Sequence, residues 1–210
     1  MSLKVRNALI GFAVAFFVSL VLGALGAGIY GGFLGMMLGV FTWYILSNLA
    51  SNRKVANVPD GDRLAALSAP PPSGCGLVYV YREGFIGMAV GFDVALDGVT
   101  VAQLKSPRFT RLVVPSGSHT LAGGPKGFAG AQNKIGITNF SLTAGETQVY
   151  RLKSQMGMLQ NSVIVTPEAN PASILPKFAA MTMVAPETAA PETSAAAIPP
   201  PPPPPNIPPS

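Results

Sequence analysis

An unbroken apolar run from Ala8 to Ala50 comes first in the chain. It contains no Lys, Arg, Asp, Glu or His, and its polar residues are Ser19, Thr42, Ser47 and Asn48. As one helix it would reach roughly 65 Å at about 1.5 Å per residue, about twice the ~30 Å hydrocarbon thickness of a bilayer. Two spans fit better, joined where glycine concentrates at Gly23, Gly26, Gly28, Gly31 and Gly32. The pattern predicts a transmembrane hairpin within residues 1–50, with spans near Ala8–Ala24 and Gly31–Leu49. In the second span Gly31, Gly35 and Gly39 recur every four residues, and Gly28 and Gly32 form a further such pair. Small residues at that spacing let another backbone approach closely in lipid. The face either packs on the first span or joins copies of the chain.

Residues 51–74 read as a linker. Asn57-Val58-Pro59-Asp60-Gly61-Asp62 is turn chemistry, Arg63–Ser68 suits a short amphipathic turn, and Pro70–Pro72 imposes a stiff extended segment that would hold the next domain off the bilayer. From Leu77 the period changes from helix to strand. Leu77–Arg82 is β-branched and aromatic on both faces, which predicts a central strand covered on two sides. Phe92–Leu96 alternates, with Asp93 expected outward, and Asp97-Gly98 is a hairpin signal leading to Val99–Leu104. Further strands are predicted at Arg108–Val114, His119–Leu121, Ile137–Leu142, Thr147–Lys153 and Leu159–Val165. A glycine-rich loop is expected from Gly123 to Gly136. About eight short strands predict a mainly β soluble domain, an antiparallel β-sandwich over residues 75–168. Residues 169–184 form a short apolar segment. Residues 185–210 contain a run of seven prolines, Pro199–Pro205, and predict a disordered Pro-rich tail, either a ligand for a proline-reading groove or a spacer.

Composition narrows the function classes. Charged residues are 11% of the 210 and mean hydropathy is +0.41, as a chain with lipid-facing helices requires. The net charge is +5, but the basic residues are scattered and several flank the apolar run, where anionic headgroups account for them. No basic run interleaves with aromatics, so nucleic acid is not an expected partner. Lys4 and Arg6 precede the first span, Arg53 and Lys54 follow the second, and the turn between is uncharged. The positive-inside rule then places both termini in the cytoplasm of a bacterial inner membrane. Trp43 and Tyr44 are expected at the headgroup level. A cleaved signal peptide is the competing reading of the first run, with Ala24-Leu25-Gly26 as the small-x-small site; the second span would survive it. No Cys follows the first run to carry a lipoprotein anchor.

Tyr79-Val80-Tyr81-Arg82, Leu96-Asp97-Gly98 leading to Val101-Ala102-Gln103-Leu104, Val113–Leu121 and Ala144–Tyr150 occur in that order. In this they resemble a family of small bacterial β-domains of unknown function, often carried by lipoproteins. The Pro-x-Gly-x-His turn at Pro115–His119 is similar to that of PEGA-type surface β-domains. The resemblance covers about Leu77–Thr166. It implies a β-sandwich in an envelope setting and supplies no catalytic residues; the membrane hairpin stands where relatives carry a lipidated Cys.

Candidate chemistry is sparse. Cys75 and His119 are the only residues of their types, so no intrachain disulfide, multi-thiolate or multi-His metal site exists. A catalytic dyad would need His119 beside Asp93, Asp97, Glu83 or Cys75. Ser116 and Ser118 make no nucleophile elbow, and Gly123–Gly127 lacks the ending of a phosphate loop. The sequence therefore predicts a non-enzymatic membrane protein without cofactor or metal, whose β-domain binds protein or envelope components. The alternatives are a membrane assembly that oligomerises through the glycine face, and an enzyme using His119 or Cys75.

Overall fold

The computed structural model describes residues 3–85, 87–126, 130–131, 133–157 and 161–187. Two helices open the chain, α1 (Leu3–Ala24) and α2 (Gly28–Leu49). Both are long and apolar enough to cross a membrane, with mean hydropathies of 2.2 and 1.6 over Val5–Ala24 and Gly28–Leu49. Each is about 33 Å long at 1.5 Å per residue. They end where the sequence predicts, at Ala24 and Leu49, and start a few residues earlier, α1 taking in Lys4, Arg6 and Asn7 in its first turns. Gly26, at φ +83°, closes α1. Gly26 N–H donates to Gly23 O at 3.0 Å and Ala27 N–H to Leu22 O at 2.9 Å, the paired bonds of a left-handed helix stop.

The helices meet along Gly31, Gly35 and Gly39. A Cβ at Gly35 would lie 2.7 Å from Ala15 O and 2.8 Å from Ser19 N; one at Gly31 would lie 2.8 Å from Leu22 Cβ. At Gly39 a Cβ would collide with Ala15 and Gly11 of α1. This face is occupied within the hairpin. Gly28 and Gly32, expected as a second packing pair, stand apart from it: a Cβ at either meets nothing within 4 Å. A step of one residue turns a helix by about 100°, so Gly32 points away from the seam, and Gly28, at φ +52°, is the first residue of α2, where the chain enters it from the turn. Away from the seam the apolar side chains face outward, Phe12 at 71% exposure and Phe17 at 67% among them.

The rest is mostly β, in two sheets. The strands are β1 (Cys75–Arg82), β2 (Phe92–Leu96), β3 (Val99–Leu104), β4 (Arg108–Pro115), β5 (Gly117–Pro125), β6 (Asn133–Lys134), β7 (Gly136–Leu142), β8 (Thr147–Gln155), β9 (Asn161–Pro167) and β10 (Thr182–Val184). One sheet runs β10-β4-β1-β8-β9-β6 and the other β3-β2-β5-β7. The expected all-antiparallel pairing holds only in the second. In the first, β1 pairs with β8, β10 with β4 and β6 with β9 in parallel. Parallel partners need a long crossover, and here the whole segment from β2 to β7 separates β1 from β8.

Strand β1 is central, and seven of its eight residues, Gly76 to Arg82, are buried. On one side Val78 and Val80 join Val94, Leu104, Leu121 and Leu152 in a core drawn from both sheets. On the other, Leu77, Tyr79 and Tyr81 lie under Phe178, Met181 and Met183. Phe178 is fully buried and stacks on Phe109, with centroids 4.5 Å apart, and on Tyr79 at 5.5 Å.

Residues 51–74 are part of this body and do not space it from the helices. Helix α3 (Asp60–Ser68) packs Ala66 and Leu67 on the second core, and Val58 N–H bonds Met183 O at 2.9 Å. Residues 169–184 likewise are no separate segment: α4 (Pro171–Ile174), a 3-10 turn over Leu175–Ala180 and β10 close the outer face of the first sheet. Short-range pattern hides both, because each is defined by partners far away in the chain: Val58 meets Met183, and Thr182 pairs with Arg108. Gly123–Pro125 continues β5 where a loop was expected. A Cβ on Gly123 would sit 2.6 Å from Leu152 Cδ2, so the glycine there is a requirement of close strand passage. The remainder of that loop contains residues outside the described ones, as does the proline run beyond Glu187.

Truncating the aromatic plug tests whether the C-terminal segment is structural. Phe178→Ala is expected to cost the β region about 3–5 kcal/mol in denaturant unfolding of the detergent-solubilised chain. A loss under about 1 kcal/mol would detach this segment from the core.

Candidate functional site

The basic and aromatic residues assigned to the membrane boundary do not behave alike. Arg6, Tyr44 and Lys54 are at the surface. Trp43 is half-buried, with its Cβ against the backbone of Gly11 on α1. The Lys4 side chain lies outside the described residues. Arg53 is also exposed, but its side chain reaches across to the β region. It forms an ion pair with Asp93 at 2.8 Å and another with Glu187. Its N–H also donates to Gln103 Oε1 at 2.7 Å.

Around Arg53 the chain is stitched to β2 and β3. Gln103 Nε2 donates to Asp93 Oδ1 at 2.8 Å and to Ser51 O at 3.2 Å. Lys126 Nζ stands 2.8 Å from Asp93 Oδ2. Asn52 closes a pair of bonds with the loop before β2, donating to Ala89 O at 2.8 Å and accepting from Gly91 N–H at 2.6 Å. Asp93, expected outward, is therefore buried, at 5% exposure. The alternation of β2 is real, but residues 51–53 cover the face that would otherwise be wet. A buried carboxylate is stable only when paired and hydrogen-bonded, and Arg53, Lys126 and Gln103 supply that.

A second feature shapes the same edge. Arg82, at the end of β1, is almost fully buried. Its guanidinium donates to Gly87 O at 2.7 Å, to Leu104 O at 3.4 Å and to Val90 O, and Cζ lies 3.6 Å over the Phe92 ring. Burial pulls this group down to about 10, so it stays charged at neutral pH. It pins the loop 83–91, leaving Phe85 and Met88 exposed.

His119 lies at the opposite turn. Asp97 and Gly98 take positive φ values of 50° and 82°, the backbone of a two-residue hairpin. Asp97 Oδ1 accepts from Thr120 N–H at 2.8 Å, Asp97 Oδ2 meets His119 Nδ1 at 2.7 Å, and His119 Nε2 lies 2.9 Å from Pro115 O. Both ring nitrogens thus face turn acceptors, Asp97 Oδ2 on one side and Pro115 O on the other. Neither bond reaches a hydroxyl or thiol, and the acid-plus-histidine pair is that of a turn lock. Burial alone would raise the Asp97 carboxyl, but its bonds to His119 and to Thr120 N–H outweigh that and hold it below the ordinary range. Among the described residues no group of three or more His, Cys, Asp or Glu side chains is placed to hold a metal.

Comparison with protein-family models, with curated proteins and with solved structures gives no match. The chain is thus read from its own geometry. The feature with functional consequence is the seam after α2, where three consecutive residues, Ser51 to Arg53, bind the β region to the end of the apolar helices. Neither the Arg53–Asp93 pair nor the Arg82 anchor was legible beforehand. The polar Asn52-Arg53 pair directly after a span was the visible signal, and it read equally well as a membrane flank.

The Asp97 lock has a defined pH sense. With its folded value depressed, the carboxylate stabilises the hairpin fully above its unfolded value of about 3.9, and this is lost as pH falls through the folded value. Thermal midpoints of wild type and Asp97→Asn are expected to differ most above about pH 5 and to converge near pH 2. A constant difference across that range would contradict the lock.

Proposed function

We propose that this chain is a non-enzymatic, multi-pass protein of the bacterial inner membrane, whose β-sandwich is displayed at the membrane surface and binds protein or envelope components. The observation that carries the reading is the seam: Asn52 and Arg53 bind β2, β3 and the loop before β2 within four residues of the end of α2. Whatever holds α2 thereby holds the β region against the same surface. The two sheets share one core, which supports the sandwich description although the first sheet is mixed. The lock that occupies both nitrogens of the lone histidine supports the non-enzymatic reading. Exposed Ile135, between β6 and β7, and Ile137, at the start of β7, are apolar residues of the kind a protein partner would cover. The small envelope β-domains that the region resembles fit the same setting.

Orientation follows from charge. Arg6 on one flank and Lys54 on the other, with an uncharged turn at Leu25–Ala27, favour cytoplasmic termini and a cytoplasmic β region. Arg53 counts with them, since its pairing with Asp93 is made only after the β region folds. The assembly alternative drew on the glycine face, which α1 fills here, so it has no separate observation in its favour.

Reporter fusions after Lys54 and after Thr166 test the arrangement. A cytoplasm-dependent reporter is expected to be active at both sites, and a periplasm-dependent one at Leu25 only. Periplasmic activity at both Lys54 and Thr166 would reverse the orientation.

A further inference from the structure

The loop between β1 and β2 presents apolar side chains at the surface. From Gly84 to Gly91 its sequence has no polar side chain, and Phe85 is 85% exposed and Met88 43%. Its one acid, Glu83, is turned to Arg151 of β8 at 3.0 Å. Met156, directly after β8, is 71% exposed. The loop is held open and does not fold over its own apolar residues. Gly84 and Gly87 take φ values of +121° and +64°, which favour glycine. Arg82 donates to Gly87 O at 2.7 Å and to Val90 O, and Ser106 N–H donates to Met88 O at 3.2 Å.

Position decides what these side chains meet. On the reading that α2 spans the bilayer, its length of about 33 Å exceeds the ~30 Å hydrocarbon by less than one turn. The end of α2 therefore lies in the headgroup layer, and the loop is fastened to that end. Asn52, just past Leu49, donates to Ala89 O at 2.8 Å and accepts from Gly91 N–H at 2.6 Å. Gly87, Ala89 and Met156 face Tyr44, Ile45 and Leu49 across one gap. Tyr44 and Ile45 are themselves partly open on the outward side of α2, so the apolar edge continues the surface that α2 offers to lipid. Lys54 follows α2, and Lys105 precedes the Ser106 that bonds Met88 O; basic residues at this level suit anionic headgroups. A protein partner would have to displace headgroups to reach this edge, whereas the bilayer is already in place beside it.

We propose that this edge is an interfacial anchor: Phe85, Met88 and Met156 enter the headgroup–acyl boundary of the bilayer that α2 spans. Apolar side chains at such a boundary sink about 5–10 Å into it. The β region is then held at two points, by its covalent link to α2 and by this edge. The His119 turn is held away from the lipid: Pro125, at one end of β5, borders the gap beside α2, and Ser118, near the other end, lies about 23 Å further along an extended strand. This rests on the membrane-spanning reading of α2, and the test separates the two.

The full chain, in a Cys75→Ser background, carries a nitroxide on one introduced cysteine and is reconstituted into vesicles of phosphatidylethanolamine and phosphatidylglycerol. Power-saturation EPR then compares collisions with oxygen, which concentrates in lipid, and with a water-soluble nickel chelate. Phe85→Cys and Met156→Cys replace side chains outside both core clusters, so the fold stands. Both are expected to favour oxygen over nickel several-fold more than Ser118→Cys, the water-facing reference. Phe41→Cys reports whether α2 itself is in lipid. Nickel collisions at 85 or at 156 as frequent as at 118 would overturn the proposal. So would a label at either site shielded from both reagents, the mark of a covering protein or a second copy. Lipid contact at 41 with water contact at 85 or 156 overturns the interfacial anchor and leaves α2 in the bilayer; water contact at 41 overturns both.

Discussion

Apolar surface on α1 and α2 that none of the described residues covers is the constraint from which the rest follows. Only Gly31, Gly35, Gly39 and Asn48 are buried along α2, while Phe33, Phe41 and Met36 face outward. A soluble core helix would show the reverse: large apolar residues inside and small or polar ones out. In lipid, apolar contact between helices brings no gain over contact with acyl chains, so association depends on close backbone approach. The glycine seam provides it, since each of the three seam positions lacks room for a Cβ. Helices also satisfy their backbone groups internally, which a bilayer demands of any segment within it.

The second consequence is mechanical. Leu49 is followed within four residues by Arg53, so there is no flexible tether between helix and β region. Asn52 and Arg53 spend their hydrogen-bonding capacity on the loop before β2, on Gln103 and on Asp93. Lys126 and Glu187 complete the charge balance around them. Arg82 fixes the same loop from inside the first sheet. The face of the β region nearest α2 is thus braced from two directions, while the His119 turn lies at the end of the adjoining strands of the second sheet.

Much of this architecture was readable because it is local. The helix ends at Ala24 and Leu49, the Asp97-Gly98 hairpin, most strand positions and the two-sided burial of β1 follow from period and turn chemistry. What escaped reading depends on partners far away in the chain. Asp93 looks solvent-facing until Arg53, 40 residues earlier, is laid over it. Thr182–Val184 looks like the end of an apolar tail until it pairs with β4. The parallel register of β1 with β8 cannot be inferred from alternation, which is the same for either direction. Glycine misled in both senses: Gly123 marked a tight passage within a strand, and Gly32 shared the spacing of the seam without its direction. Cys75 and His119, the residues with chemical potential, turned out to sit at turns and strand ends, where backbone partners define their surroundings.

The central claim is that α1 and α2 reside in lipid. Alkaline carbonate extraction of membranes from cells producing the full chain tests it most directly, since the treatment strips proteins held only by surface charge or by protein partners. The account predicts that the chain stays in the membrane pellet and leaves it only with detergent. Quantitative release into the soluble fraction, with the β region still folded, would contradict it.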